Sequence, residues 1–145
     1  MNKNILFKVG FIFLCLGTLV SFIYGFLYIG KGTFMEYHER FTGLTPELVA
    51  AYNTNLMVLI TIFIRIIGFA ALTVGILMGI IIFAGLRAKE KWAWGAGLAV
   101  GLCFILPLAV LTAPVGGTPY ISMLVALVIV LAGLICSFPA VFIQD

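Results

Sequence analysis

Charge is scarce in this chain: 9% of its 145 residues are Asp, Glu, Lys or Arg. Hydrophobic residues make up 64%, and the mean hydropathy is +1.29. Soluble domains carry about 25% charged and roughly 45–50% apolar residues. A water-soluble fold of this size could not hide the surplus, because small domains leave much of their area exposed. Histidine is nearly missing. His38 is the only one, which excludes a multi-histidine metal site within the chain. The three cysteines, Cys15, Cys103 and Cys136, each lie in an apolar run without Cys-x-x-Cys spacing. That argues against a thioredoxin-like redox pair or a zinc site, and a buried cysteine behaves as a small hydrophobe. The formal net charge of +3 is small and scattered, so no nucleic-acid partner is expected. No metal or cofactor is expected either. Low-complexity segments and clear internal repeats are lacking, which argues against an inverted-repeat transporter.

Four long apolar runs remain, and a helix needs about 20 mostly apolar residues to cross a bilayer. They cover residues 9–29, 56–86, 92–112 and 121–143. The fold predicted is all-α, one membrane-spanning four-helix bundle using the whole chain as a single domain, with the lipid bilayer as its partner. The first run is longer than the apolar region of a signal peptide, about 7–15 residues, and no small-x-small cleavage site follows it, so it reads as retained. Residues 30–55 form the only long connection and are expected to make a short extracytoplasmic loop and helix. Residues 87–91 are a basic turn, and residues 113–119 are a turn of proline and glycine.

Orientation follows from the cations. With the N-terminus inside, Lys3, Lys8, Arg87, Lys89 and Lys91 are cytoplasmic, and Lys31 and Arg40 lie outside. This distribution places both termini in the cytoplasm of a multi-pass cell-membrane protein. Trp92 and Trp94 beside the basic turn suit a headgroup boundary. Small residues recur at helical spacing, with Gly17, Ser21 and Gly25 in the first run, Gly75 and Gly79 in the second, and Gly97 and Gly101 in the third. Such seams let backbones approach, here chiefly inside the bundle rather than in a dimer. Pro107 should kink the third helix.

Most polar chemistry lies in residues 35–47. Thr45-Pro46-Glu47 reads as a helix start, with a threonine cap, proline in the first turn and an acid near the positive dipole end. A short helix over residues 46–52 should follow, with Leu48, Val49 and Tyr52 on one face. Arg65 is the one charge within a span. Counting back from Leu86 puts it about 31 Å away, near the outer boundary of the hydrocarbon. Two readings of Arg65 compete. In one it holds the loop through Glu36, Glu39 or Glu47, or reaches lipid phosphates. In the other, Arg65, His38, Glu39, Tyr37, Glu36, Glu47 and Asn55 line a polar pocket under the loop that binds an anionic or polar small molecule. A pH-sensing role for His38 is weaker than a solvated one. General acid–base work by His38 and Glu39 lacks any nucleophile or metal beside it.

His-Glu-Arg-Phe-Thr-Gly-Leu at 38–44, Glu-Leu-Val-Ala-Ala at 47–51 and Glu-Lys-Trp-Ala-Trp at 90–94 occur together. In this combination, over Tyr37 to Trp94, the chain resembles a group of small, uncharacterised prokaryotic four-span proteins of broadly DoxX-like organisation. The resemblance implies the four-helix layout and a loop of this style before the second helix, and it transfers no catalytic residues. The first span lacks the embedded glutamate of small multidrug transporters, and no cysteine pair matches a vitamin K epoxide reductase-like enzyme. The functional expectation is a non-enzymatic accessory subunit or assembly component of a membrane complex, with other membrane subunits as partners. The alternative is a small-molecule binder or carrier using the pocket around Arg65.

Overall fold

The computed structural model describes residues 2–143, and among them every regular element is helical. The first span is α1 (Lys3–Lys31), and α2 (Glu36–Thr42) and α3 (Pro46–Tyr52) make the long connection. The second span is α4 (Thr54–Ile80), prolonged by a π turn at Ile81–Gly85 and a 3-10 turn at Leu86–Ala88. The third is α5 (Lys91–Val100), a π turn at Gly101–Ile105 and α6 (Leu106–Thr112); the fourth is α7 (Gly117–Phe142). All four spans are long and apolar enough to cross a membrane, the architecture of a multi-pass membrane protein. Only 17% to 28% of their most apolar stretches is buried inside the molecule. Side chains such as Ile12, Phe26 and Val128 point outward. Their natural solvent is hydrocarbon.

Local sequence explains the helix ends. The Asn2 side chain caps α1 by accepting from Asn4 N–H at 3.0 Å, and Gly32, in the left-handed region, closes it. The 46–52 helix forms where expected, with the Thr45 hydroxyl accepting from Leu48 N–H. Of its apolar residues, Val49 is buried, whereas Leu48 and Tyr52 are exposed. Asn53 then accepts from Leu56 N–H and starts α4 two residues earlier than the apolar run predicts. Helix α2 is not among the sequence expectations. Pro107 lies in the first turn of α6, directly after the π turn. A proline removes a donor and crowds the preceding turn, and the wider π turn accommodates both effects.

The chain runs up and down with two unlike ends. One end carries the α1 start, the α4–α5 turn and the α7 end. There Lys3 Nζ donates to the Ile143 carbonyl at 3.3 Å, and Lys89 and Lys91 lie over the rings of Phe7 and Phe142. The other end carries α2, α3 and the α6–α7 turn. Trp92 is exposed beside the basic turn, as a boundary anchor would be. Trp94 instead turns inward. Its indole N–H donates to the Leu134 carbonyl at 2.8 Å, and its ring packs edge-on against Phe138 and Phe142. The closely packed core, with Leu14, Ile82, Leu86, Leu134 and Val141 fully buried, lies toward this basic end.

Helix α1 is central, with α7 along one side and α4 along the other. Glycines set both approaches. A Cβ on Gly10 would meet the Gly133 carbonyl oxygen at 2.5 Å, and one on Gly133 would meet Gly10 O at 3.0 Å. Nearer the α2 end, a Cβ on Gly25 or Gly68 would meet the other's carbonyl oxygen at 3.0 Å. Gly17, Gly75, Gly97 and Gly101 also face side chains of neighbouring helices, whereas Gly79 faces open space. Gly10→Ala should therefore force two backbones apart and destabilise by about 1–3 kcal/mol. Gly79→Ala should stabilise by roughly 0.5–1 kcal/mol through helix propensity. Thermal unfolding in mild detergent checks the opposite signs; equal shifts would refute the crossing.

Candidate functional site

Between the Gly10–Gly133 crossing and α2 the helices part. Helix α4 packs along α1 and meets the third span mainly at the basic end, where its π turn lies on α5. The divergence leaves a cavity of about 200 Å³ in the α2 half of the bundle. Gly17, Val20, Ser21, Tyr24 and Tyr28 of α1 line it, with Ile67 and Ala71 of α4. The third span adds Phe104, Leu108 and Thr112, and α7 adds Thr118, Ser122, Met123 and Ala126. Tyr37 and His38 of α2 close the end. The walls are largely apolar, and the polar groups gather toward α2.

The cap is built from local chemistry. Residue 38 is at the third position of α2, and its Nδ1 accepts the N–H of the capping residue Met35 at 3.1 Å. This is one half of a capping box, with imidazole in place of the usual carboxylate. Neutral imidazole has one donor and one acceptor, so the bond to Nδ1 puts the proton on Nε2. The Tyr37 hydroxyl is hydrogen-bonded to that of Tyr28, which ties α2 to α1. The rings of Tyr37 and His38 stack obliquely at 4.2 Å, and Phe34 flanks His38 at 5.8 Å. Burial pushes the Tyr37 phenol well above its ordinary value, and the hydrogen bond to Tyr28 adds to this. Burial lowers His38 below the ordinary imidazole value. Both groups are held neutral. No charged side chain is among the residues that line the cavity.

The residues expected from sequence divide. Tyr37 and His38 reach the cavity; Arg65, Glu36, Glu39, Glu47 and Asn55 are outside its lining. Among the described residues, no ion pair joins Arg65 to Glu36, Glu39 or Glu47. The Arg65 side chain lies instead on the glycine that caps α1, where a Cβ on Gly32 would meet Nε at 2.7 Å. Gly32 has φ +53°, so both conformation and space require glycine there. A guanidinium at a helix C-terminus faces the negative end of the dipole. Glu47 is fully exposed in the first turn of α3, and hydrogen bonding by Thr45 holds its carboxyl below the ordinary range. Asn55 is exposed in the first turn of α4.

Sequence reasoning missed Tyr24, Tyr28, Thr118 and Ser122. A signal existed. Gly17, Ser21, Tyr24 and Tyr28 follow helical spacing and make one polar-edged face on an apolar helix, and Thr118 and Ser122 are one turn apart. Among the described residues, no three His, Cys, Asp or Glu side chains gather as metal ligands. Cys15, Cys103 and Cys136 are free thiols. Comparison with protein-family models, with curated proteins and with solved structures finds no match to this chain.

Two outcomes follow. Protonating His38 would turn its Nδ1 from acceptor to donor against the Met35 N–H. The folded imidazole pKa is below the ordinary 6.5, so the unfolded chain binds more protons between the two values. This contribution to stability is whole above the ordinary value and is lost as pH falls through the folded pKa. Tyr28 and Tyr24 of α1 line the same cavity as His38, and its own helix adds Tyr37, Glu36, Glu39 and Arg40. Melting temperature should fall as pH drops below about 6.5, and His38→Gln should flatten that slope. Glu47, already held low, enters only at more acid pH. A slope unchanged in His38→Gln would contradict the cap. In Arg65→Ala, stability should drop by about 0.3–1 kcal/mol with the His38 slope intact; loss of the slope would place Arg65 in the cap.

Proposed function

We propose that this protein is a membrane-embedded binder or carrier of a small molecule, which it holds in the cavity beneath α2. The observation that carries the reading is the cavity itself, apolar along its walls and polar at one end. Binding sites commonly combine mostly hydrophobic linings with a few placed polar groups. The accessory-subunit reading drew on a bundle nearly free of polar interior residues, on small-residue seams and on minimal soluble mass. Gly10, Gly17, Gly25, Gly68, Gly75, Gly97, Gly101 and Gly133 already face neighbours within the chain, which favours the binder.

The rest of the proposal concerns setting. The gathering of Lys3, Lys8, Arg87, Lys89 and Lys91 at one end supports a cytoplasmic position for both termini in the cell membrane. Helices α2 and α3 then cover the outer mouth of the bundle. The DoxX-like resemblance of residues 37–94 rests on the loop and turn motifs and bears on layout alone. No side chain in the cavity is poised as a nucleophile beside a base, so binding rather than catalysis is proposed.

Ala71 lines the cavity from α4 and offers a direct test. Ala71→Phe should fill the space while the bundle stays folded. Native mass spectrometry of protein released from native membrane should show wild type carrying a small-molecule adduct that Ala71→Phe lacks. Identical spectra from two folded proteins would refute the reading.

A further inference from the structure

Helices α1 and α7 touch through backbone at Gly10 and Gly133 and stay neighbours beyond it, where a Cβ on Gly17 would meet Val130 at 3.2 Å. On the lipid-facing side of this seam is a groove lined by Val20, Tyr24, Ile121, Val125 and Ile129. Its volume is about 420 Å³, and it shares Val20, Tyr24, Thr118, Ser122 and Ala126 with the cavity. The cavity and the groove thus adjoin along these five side chains.

The chemistry at the inner end selects what fits. With Nδ1 occupied, His38 offers Nε2–H. The Tyr28–Tyr37 pair has two hydroxyl protons and one hydrogen bond between them, so one proton is available. Among the described residues, the Tyr24 hydroxyl has no hydrogen-bond partner. Among the described residues, the Ser21 and Thr118 hydroxyls of the lining likewise have no hydrogen-bond partner, so several donors surround one apolar space, without a cation or a carboxylate. Moving an ion into such a space is costly unless it is paired. A carbonyl oxygen can accept from these donors without bringing charge. The cavity, about 200 Å³, has room for such a head and the start of a chain.

Resting on the binding function proposed above, we infer that the ligand is an uncharged amphiphile with a carbonyl head, such as an ester or ketone. Its head lies beneath Tyr37 and His38, and its chain leaves between α1 and α7 into the groove. Lateral entry from the bilayer follows, without passage through α2.

The test uses the full chain in lipid nanodiscs and three photoreactive diazirine probes of equal length: a fatty acid methyl ester, the free carboxylate and an alkyl trimethylammonium. The ester should label the cavity and groove at concentrations at least about 10-fold below the other two. A diazirine near the head should mark the His38 end, and one at mid-chain should mark Ile121, Val125 or Ile129. Tyr24→Phe and His38→Phe, each checked for folding by its melting curve, should weaken ester labelling by about 3- to 10-fold. Preference for the carboxylate or the ammonium would overturn the ligand class and leave the binding function standing. Ester labelling at the cavity with none in the groove would overturn the lateral route. No saturable labelling of the cavity by any probe would overturn the binding function as well.

Discussion

Everything in this molecule turns on how closely α1 lets its neighbours approach. At Gly10 and Gly133 the α1 and α7 backbones leave no room for a methyl group, and at Gly25 and Gly68 α1 and α4 meet in the same way. In hydrocarbon, side chains gain little by leaving lipid for one another, so close backbone packing takes over the role that apolar burial has in water. The two contacts are at different heights on α1. Helix α7 is drawn in near the basic end and α4 nearer α2. The space between them in the α2 half is what neither contact closes.

The two halves consequently differ in kind. Toward the basic end, Leu14, Ile82, Leu86, Leu134 and Val141 interlock, and Trp94 fastens α5 to α7. Toward α2, the interior is a cavity edged with phenols, hydroxyls and one imidazole. Helix α2 connects them to the aqueous side. It is short, and an isolated helix of that length is marginal in water. Its stability must come from its ends and its half-buried side: the Met35–His38 bond, Gly43 as the closing residue, and the Tyr37–Tyr28 pair. The group that caps the helix is thus also the group that presents a donor to the cavity.

The spans, the basic turn and α3 were legible because each depends on local signals: apolar runs of bilayer length, clustered lysines, and the Thr-Pro-Glu start at residue 45. Helix α2 was not, since Met35 is a weak capping residue and the imidazole that completes the cap acts only in the folded turn. Trp94 was read as an anchor because tryptophan beside lysine fits a headgroup boundary. Its inward turn depends on a carbonyl supplied by α7, 40 residues away. Arg65 was expected to hold a loop carboxylate, to reach lipid phosphates or to line the pocket. A long flexible cation can satisfy itself on any negative end within reach, and the α1 terminus was nearer. Tyr37 and His38 line the cavity, and their companions on α1 and α7 come together only through the glycine crossings.

The account stands on the cavity beneath α2 and its adjoining groove between α1 and α7. An experimental map of the protein in a lipid nanodisc, at a resolution that shows side chains, measures this directly. It should show Gly10 and Gly133 in backbone contact, with Tyr24 and Ser122 held apart by continuous non-protein density running from beneath Tyr37 and His38 to the lipid. Tyr24 packed against Ser122, with no space beneath α2, would contradict it.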